Sequence, residues 1–114
     1  MEIKFEKCVP CRGGIPPLDD KSIAKLIVNT PSWDVRHEQN TYLTKKFKMK
    51  NFKQSMNFAN LIFEISEEEG HHPKIIVEFG NIEVFWWTHK INGLHKNDFI
   101  MAAQTDDLFN KLQN

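Results

Sequence analysis

The chain has 114 residues, 40% of them hydrophobic and 26% charged, the composition of one ordinary globular domain with room for a single modest core. Lys+Arg and Asp+Glu are 15 each, for a formal net charge of zero, which excludes the strong basic excess of a dedicated nucleic-acid binder. No apolar run approaches the roughly 20 residues that span a bilayer, and residues 1–7 alternate charged and apolar types, unlike a secretory signal. The sequence therefore predicts a cytoplasmic protein with no membrane or nucleic-acid partner.

Residues 8–17 hold three of the five prolines and two of the five glycines, so residues 1–18 read as an irregular N-terminal arm and 19–114 as a single domain. The arm contains Cys8 and Cys11, spaced C-x-x-C. One such pair supplies two ligands where a structural zinc site needs four, and no βαβ pattern adjoins it. The expectation is two reduced thiols in a mobile tail. A helix follows, capped by Asp19 or Asp20, with Ile23, Leu26 and Ile27 as its apolar stripe and Asn29-Thr30-Pro31 as its end. Residues 33–36 suggest a short strand with Trp33 in the core, 37–40 a polar turn. Residues 42–49 alternate, with Leu43, Phe47 and Met49 opposite Thr44, Lys46 and Lys48. The basic and aromatic residues interleaved over 45–53 read as a strand with one wet face and one buried face.

A long helix is predicted over 51–69, its stripe formed by Phe52, Met56, Ala59 and Phe63 and widened by Ile62 and Ile65, with Gly70 ending it in the left-handed conformation. Strands at 74–79 and 82–88 flank a Gly80-Asn81 hairpin turn. A loop at 90–96 contains Gly93. The last helix starts at Asn97 or Asp98, either able to cap it, and runs toward Leu112 with Ile100, Ala103, Leu108 and Leu112 inward. The predicted fold is α+β, in the order α-β-β-α-β-β-α: a four-stranded antiparallel sheet with three helices on one face and the other face open.

A Gly80-Asn81 turn pairs Phe79 with Ile82, Val77 with Val84 and Ile75 with Trp86 on the covered face. On the open face it sets His72 directly across from His89, about 4.5–5.5 Å apart at Cβ. His71 precedes the pair, and Pro73 holds the chain extended there. Glu67-Glu68-Glu69 ends the long helix, where carboxylates oppose the macrodipole at about 0.3–1 kcal/mol each; supporting a nearby imidazole would offset that cost. His37 and His95 read as structural. Imidazole ionises near neutral pH, so several histidines can donate a proton at one point and accept one at another. A His₃ or His₂Glu zinc site is the rival. It ranks lower because adjacent His71 and His72 on an extended chain point to opposite sides.

At these residues the sequence resembles the pterin-4a-carbinolamine dehydratases. The family pattern is an acid, three residues, His-His-Pro, five residues, an aromatic, nine residues, His, then Asp. It is met by Glu67, His71-His72-Pro73, Phe79, His89 and Asp98. Thr88, Gly93-Leu94 and the Cys8 to Leu18 opening also look like the family, bacterial members in particular. Lys74, Phe79 and Lys90 depart from its usual residues. The resemblance implies dehydration of 4a-hydroxytetrahydropterins to quinonoid dihydropterins, recycling the pterin used by aromatic amino acid hydroxylases, with no metal or organic cofactor. It implies that His71, His72 and His89 form the acid/base and pterin-binding set, that Glu67 supports a histidine, that Pro73 shapes the site and that Asp98 orders the loop after His89. Animal members also act as dimerisation cofactors for a transcription factor, so a non-catalytic interaction protein is the alternative, with a metal-dependent hydrolase behind it. Exposed strand edges and an apolar second helix point to a homodimer or homotetramer.

Overall fold

In the computed structural model, which describes residues 2–9 and 13–113, the order is helix α1 (Asp20–Leu26), strands β1 (Asp34–His37) and β2 (Thr41–Lys48), helix α2 (Phe52–Glu69), strands β3 (Lys74–Glu78) and β4 (Asn81–Trp86), and helix α3 (Lys96–Gln113). Short 3-10 turns occur at Ile3–Phe5, Ile27–Asn29 and His89–Ile91. This is the predicted α-β-β-α-β-β-α order. The strands form one antiparallel sheet in the order β1-β2-β4-β3, with β1 and β3 at its edges. Asp19 is the cap of α1, its carboxylate accepting the Ser22 N–H at 2.8 Å.

The covered face of the sheet carries Leu43, Phe47, Ile82, Val84 and Trp86, all fully buried against Phe58 and Ile62 of α2 and Phe99 and Met101 of α3. Burial of each such side chain is worth about 1.5–3 kcal/mol. Phe47 sits at the centre, with ring centroids of Phe58 and Phe109 each 5.0 Å away and Trp33 at 5.8 Å. The open face carries an aromatic row in which Tyr42 touches both Phe85 and Trp87. Within the basic 45–53 stretch, Lys45 is committed to structure: its ammonium binds Asp106 at 2.7 Å and Ser32 at 2.8 Å while lying over the Phe47 ring.

The β3–β4 register differs from the predicted one. Val77 pairs with Ile82 and Ile75 with Val84, so the two-residue turn is Phe79-Gly80 rather than Gly80-Asn81. A shift of two residues keeps side chains on their faces, and the covered set survives except Phe79, which is 68% exposed in the turn. The shift does abolish the cross-strand pairing of His72 with His89, because the ladder begins at Lys74, opposite Phe85. The reason is tertiary. The Gly80 carbonyl accepts the Met49 N–H at 2.9 Å, prolonging the β2–β4 ladder, and Ser55 Oγ of α2 donates to the Phe79 carbonyl at 3.3 Å. These bonds override the local preference for a Gly-Asn turn, and Gly80 does not use the left-handed region.

Helix α2 is also rotated relative to its predicted stripe. Ser55, Phe58, Ile62 and Ser66 are buried, whereas Phe52, Met56 and Phe63 are exposed. The sequence contains two apolar rows on this helix, and the one bearing two small serines lets the helix lie closer to the sheet. Gly70 ends it at φ 65°, as predicted.

Helix α3 begins at Lys96, so Asn97 and Asp98 lie within its first turn and are not its cap. His95 takes that place. Its Nδ1 accepts the Asn97 N–H at 3.0 Å, and its own N–H donates to Asp98 Oδ2 at 3.0 Å, the reciprocal geometry of a capping box with imidazole in the hydroxyl's role. Residues 97–103 of α3 are buried all round because the arm packs on the side away from the sheet, with Ile3 part of the core. Leu108 and Leu112, predicted inward, are half-buried against that core.

His95→Ala removes the cap acceptor and should cost about 1 kcal/mol of unfolding free energy, while His95→Ser should retain most of it; urea denaturation of the two variants measures the difference.

Candidate active site

The site is assembled where β3 begins and β4 ends, between the C-terminus of α2 and the N-terminus of α3. After the left-handed Gly70, the His71 N–H returns to the Ser66 carbonyl at 3.1 Å, closing α2 in the way a left-handed C-cap does. The next residues therefore leave the helix in fixed directions. His71 points inward and is 9% exposed. Its Nε2–H donates to Asp98 Oδ1 at 2.6 Å, and its ring stacks on Trp86 with centroids 5.7 Å apart and planes 11° apart. Trp86 is itself held by its indole N–H donating to Thr105 Oγ at 3.1 Å.

Asp98 is fully buried. Its second oxygen accepts the Thr88 hydroxyl at 2.8 Å and the His95 N–H at 3.0 Å. A buried carboxylate is tolerable only when its lone pairs are taken up in this way. Asp98 thus bonds to residues on both sides of His89 and also to His71, a contact the sequence does not announce. His72 points outward; its Nε2–H donates to Glu67 Oε2 at 2.6 Å, with both side chains largely exposed. Of the acidic run, Glu67 supports an imidazole and Glu69 turns to the arm instead, accepting the Cys8 N–H at 2.8 Å.

His89 lies in the 3-10 turn after β4, its ring stacked on Trp87 with centroids 4.4 Å apart. The loop is closed by the Thr88 N–H donating to the Gly93 carbonyl at 2.9 Å, with Asn92 left-handed at φ 51°. Gly93 has no alternative: a Cβ there would lie 2.7 Å from the Cβ of Pro17.

A cleft of about 520 Å³ is lined by His71, His72, Thr88, His89 and Lys90 together with Cys8, Val9, Glu69, Gly70 and Asn97. All three predicted imidazoles therefore reach one cavity, within the size range of small-molecule sites. They are not gathered on the open face of the sheet, however. His71 packs on Trp86, which faces the helices, and His89 packs on Trp87, which touches Tyr42 on the open side; the cleft straddles the sheet's end. Asp98 sits beneath His71, Glu67 is on the rim, Pro73 leads into β3, and Phe79 is in the distant hairpin turn. Sequence reasoning missed Thr88, Asn97 and the arm residues as part of the site. His95, read as structural, is the cap of α3. The Cys8 thiol is pushed up to about 12 by burial, then by the charges of Glu69 and Asp98. Cys8 is docked rather than in a mobile tail; Cys11 lies outside the described residues. Among the described residues, no helix is long and apolar enough to cross a membrane.

The family sequence profile described as pterin 4 alpha carbinolamine dehydratase matches residues 16–108. Curated relatives provisionally named as pterin-4-alpha-carbinolamine dehydratases include one from Chlorobium luteolum, 43% identical over 97% of this chain and 98% of its own. Another, from Methylococcus capsulatus, is 47% identical over 90% of each chain, and one from Saccharophagus degradans is 44% identical over 91% of this chain and 93% of its own. Among solved structures, a transcriptional coactivator/pterin dehydratase from Brucella melitensis superposes with a TM-score of 0.74 at 22% identity, over 81% of this chain and 97% of that one. A pterin dehydratase-like protein described as a RuBisCO assembly factor in the α-carboxysome does so with a TM-score of 0.59 at 23% identity, over 68% of this chain and 89% of that one. The two structural likenesses speak to the fold, and the sequence matches to kinship. On those matches, which run nearly end to end, the chain belongs to the pterin-4-alpha-carbinolamine dehydratase family of hydro-lyases.

Proposed function

We propose that the protein dehydrates a 4a-hydroxytetrahydropterin to the quinonoid dihydropterin and water, with His71, His72 and His89 as the acid/base and ring-binding set. The observation that carries this reading is the convergence of three imidazoles on one cleft, two of them with Nε2 committed to a carboxylate. The reaction needs two proton transfers. The C4a–O bond breaks with its electron pair on oxygen, which must gain a proton to leave as water. N5 must lose its proton as the N5=C4a bond forms. An imidazole whose Nε2–H is held by a carboxylate presents Nδ1 as its basic nitrogen, and the same carboxylate stabilises the ring once it is protonated. Asp98 serves His71 in this way, and Glu67 serves His72. His89, braced flat against Trp87, completes the set from the opposite junction. Pro73 and Asp98 act by positioning.

The geometry disfavours a metal centre on the same residues. Among the described residues no group of three His, Cys, Asp or Glu side chains is arranged to hold an ion. In this reading the enzyme works in the cytoplasm without a cofactor, recycles pterin for an aromatic amino acid hydroxylase, and forms a homodimer or homotetramer that covers the exposed Phe52, Met56 and Phe63 row.

The test is turnover of chemically generated 4a-hydroxytetrahydropterin. His71→Ala and His89→Ala should each lower kcat/KM by roughly 10²–10⁴-fold with the oligomeric state unchanged by sedimentation; full turnover in both variants would leave a binding role instead. Asp98→Asn should lower kcat at least tenfold, since an amide cannot stabilise protonated His71. Dialysis against a chelator should leave the rate unchanged, and a requirement for stoichiometric zinc would overturn the reading.

A further inference from the structure

Among the described residues, the N-terminal arm contributes none to the sheet and has only one 3-10 turn, so its buried backbone groups must find partners elsewhere. They find them at the active site. The Cys8 N–H donates to Glu69 Oε1 at 2.8 Å. The Asn97 carboxamide engages Val9 twice, its oxygen accepting the Val9 N–H at 3.0 Å and its Nδ2 donating to the Val9 carbonyl at 2.7 Å. One side chain thus does for Val9 what a neighbouring strand would do. Both clamps are well covered, Asn97 at 3% exposure and the Glu69 side chain at 6%. Both stand next to the proposed machinery in sequence: Glu69 is two residues before His71, and Asn97 immediately precedes Asp98. Further back, Lys4 pairs with Asp107 at 2.8 Å and Glu6 with Lys96 at 2.7 Å, and Ile3 is buried in the core. The arm is therefore bolted to both flanks of the histidine cleft, and Cys8 and Val9 are among the residues that line it.

We infer that Cys8 and Val9 are a substrate-binding wall of this cleft and that Asn97 and Glu69 are positioning residues that hold the wall in place. The inference rests on the pterin reading above and deepens it. The histidines handle the reacting C4a–N5 edge, while the arm supplies a small uncharged surface against the remainder of the ring and its substituent. Burial keeps the Cys8 thiol protonated at neutral pH, and Val9, 57% exposed, stands at the mouth. A wall of this kind acts on binding, so its loss is read in KM and leaves the chemical step alone.

Val9→Trp changes an exposed side chain and fills the mouth. It should raise KM for 4a-hydroxytetrahydropterin at least fivefold with kcat within twofold of the parent and an unchanged melting temperature. Val28→Trp, at a site 71% exposed and not lining the cleft, is the control and should leave KM unchanged. Asn97→Leu keeps the volume and removes both bonds to Val9. In a Cys11→Ser background it should speed alkylation of Cys8 by iodoacetamide at least tenfold, because the released thiol regains thiolate character, and should raise KM in parallel. Absence of turnover by the parent chain would reject the pterin reading itself. Turnover by the parent with a parental KM in Val9→Trp, or with fast Cys8 alkylation and a parental KM in Asn97→Leu, would overturn the arm proposal alone.

Discussion

A fully buried carboxylate is the point on which the site turns. Asp98 accepts hydrogen bonds from His71, from the Thr88 hydroxyl and from the His95 backbone. These three donors belong to the approach to β3, the second residue after β4 and the cap of α3. An unpaired charge at that depth costs far more than any one of these bonds returns, so the three segments are held together or not at all. Asp98 is also the third residue of a helix, where the macrodipole favours negative charge. The same atom pair that anchors the fold locally is the one that orients a proposed proton-transfer group, so structural and chemical demands coincide on one side chain.

The aromatic residues beside the site work in the same direction. Trp86 and Trp87 are consecutive, and a strand sends their rings to opposite faces. His71 stacks on the first and His89 on the second. The sheet's end therefore acts as a plate with an imidazole braced on each side, and the cleft wraps around it. Trp86 has its own hydrogen bond to Thr105 on α3, so the brace under His71 is fixed by the same helix that supplies Asp98. This second support, at one remove from the reacting groups, is what holds a site to catalytic tolerance.

The two helices that carry the site divide their surfaces differently. Helix α3 buries residues 97–103 all round, between the sheet and the arm, which is why a run as continuous as Phe99-Ile100-Met101-Ala102-Ala103 is found there. Helix α2 buries one row and exposes another, Phe52, Met56 and Phe63. Helical periodicity reports both rows equally; depth of packing chooses between them. Ser55 and Ser66, unremarkable in hydropathy, mark the buried row because small side chains allow close approach and their hydroxyls bond to backbone carbonyls.

The sequence by itself determined the order of elements, the antiparallel sheet and the left-handed Gly70 stop, because each rests on local periodicity, on φ preference or on spacing along the chain. A histidine beside Glu67 came from the family resemblance; that the histidine is His72 came from the fold. The hairpin turn, the stripe of α2 and the docking of Cys8 and Val9 were decided by tertiary structure. Gly80 answers to Met49, Ser55 to Phe79, His71 to Asp98 and Val9 to Asn97, and all of these bonds join residues more than 20 apart. A backbone or carboxylate group buried by the whole fold takes the partner that the fold delivers, and nothing in the neighbouring residues records which partner that will be.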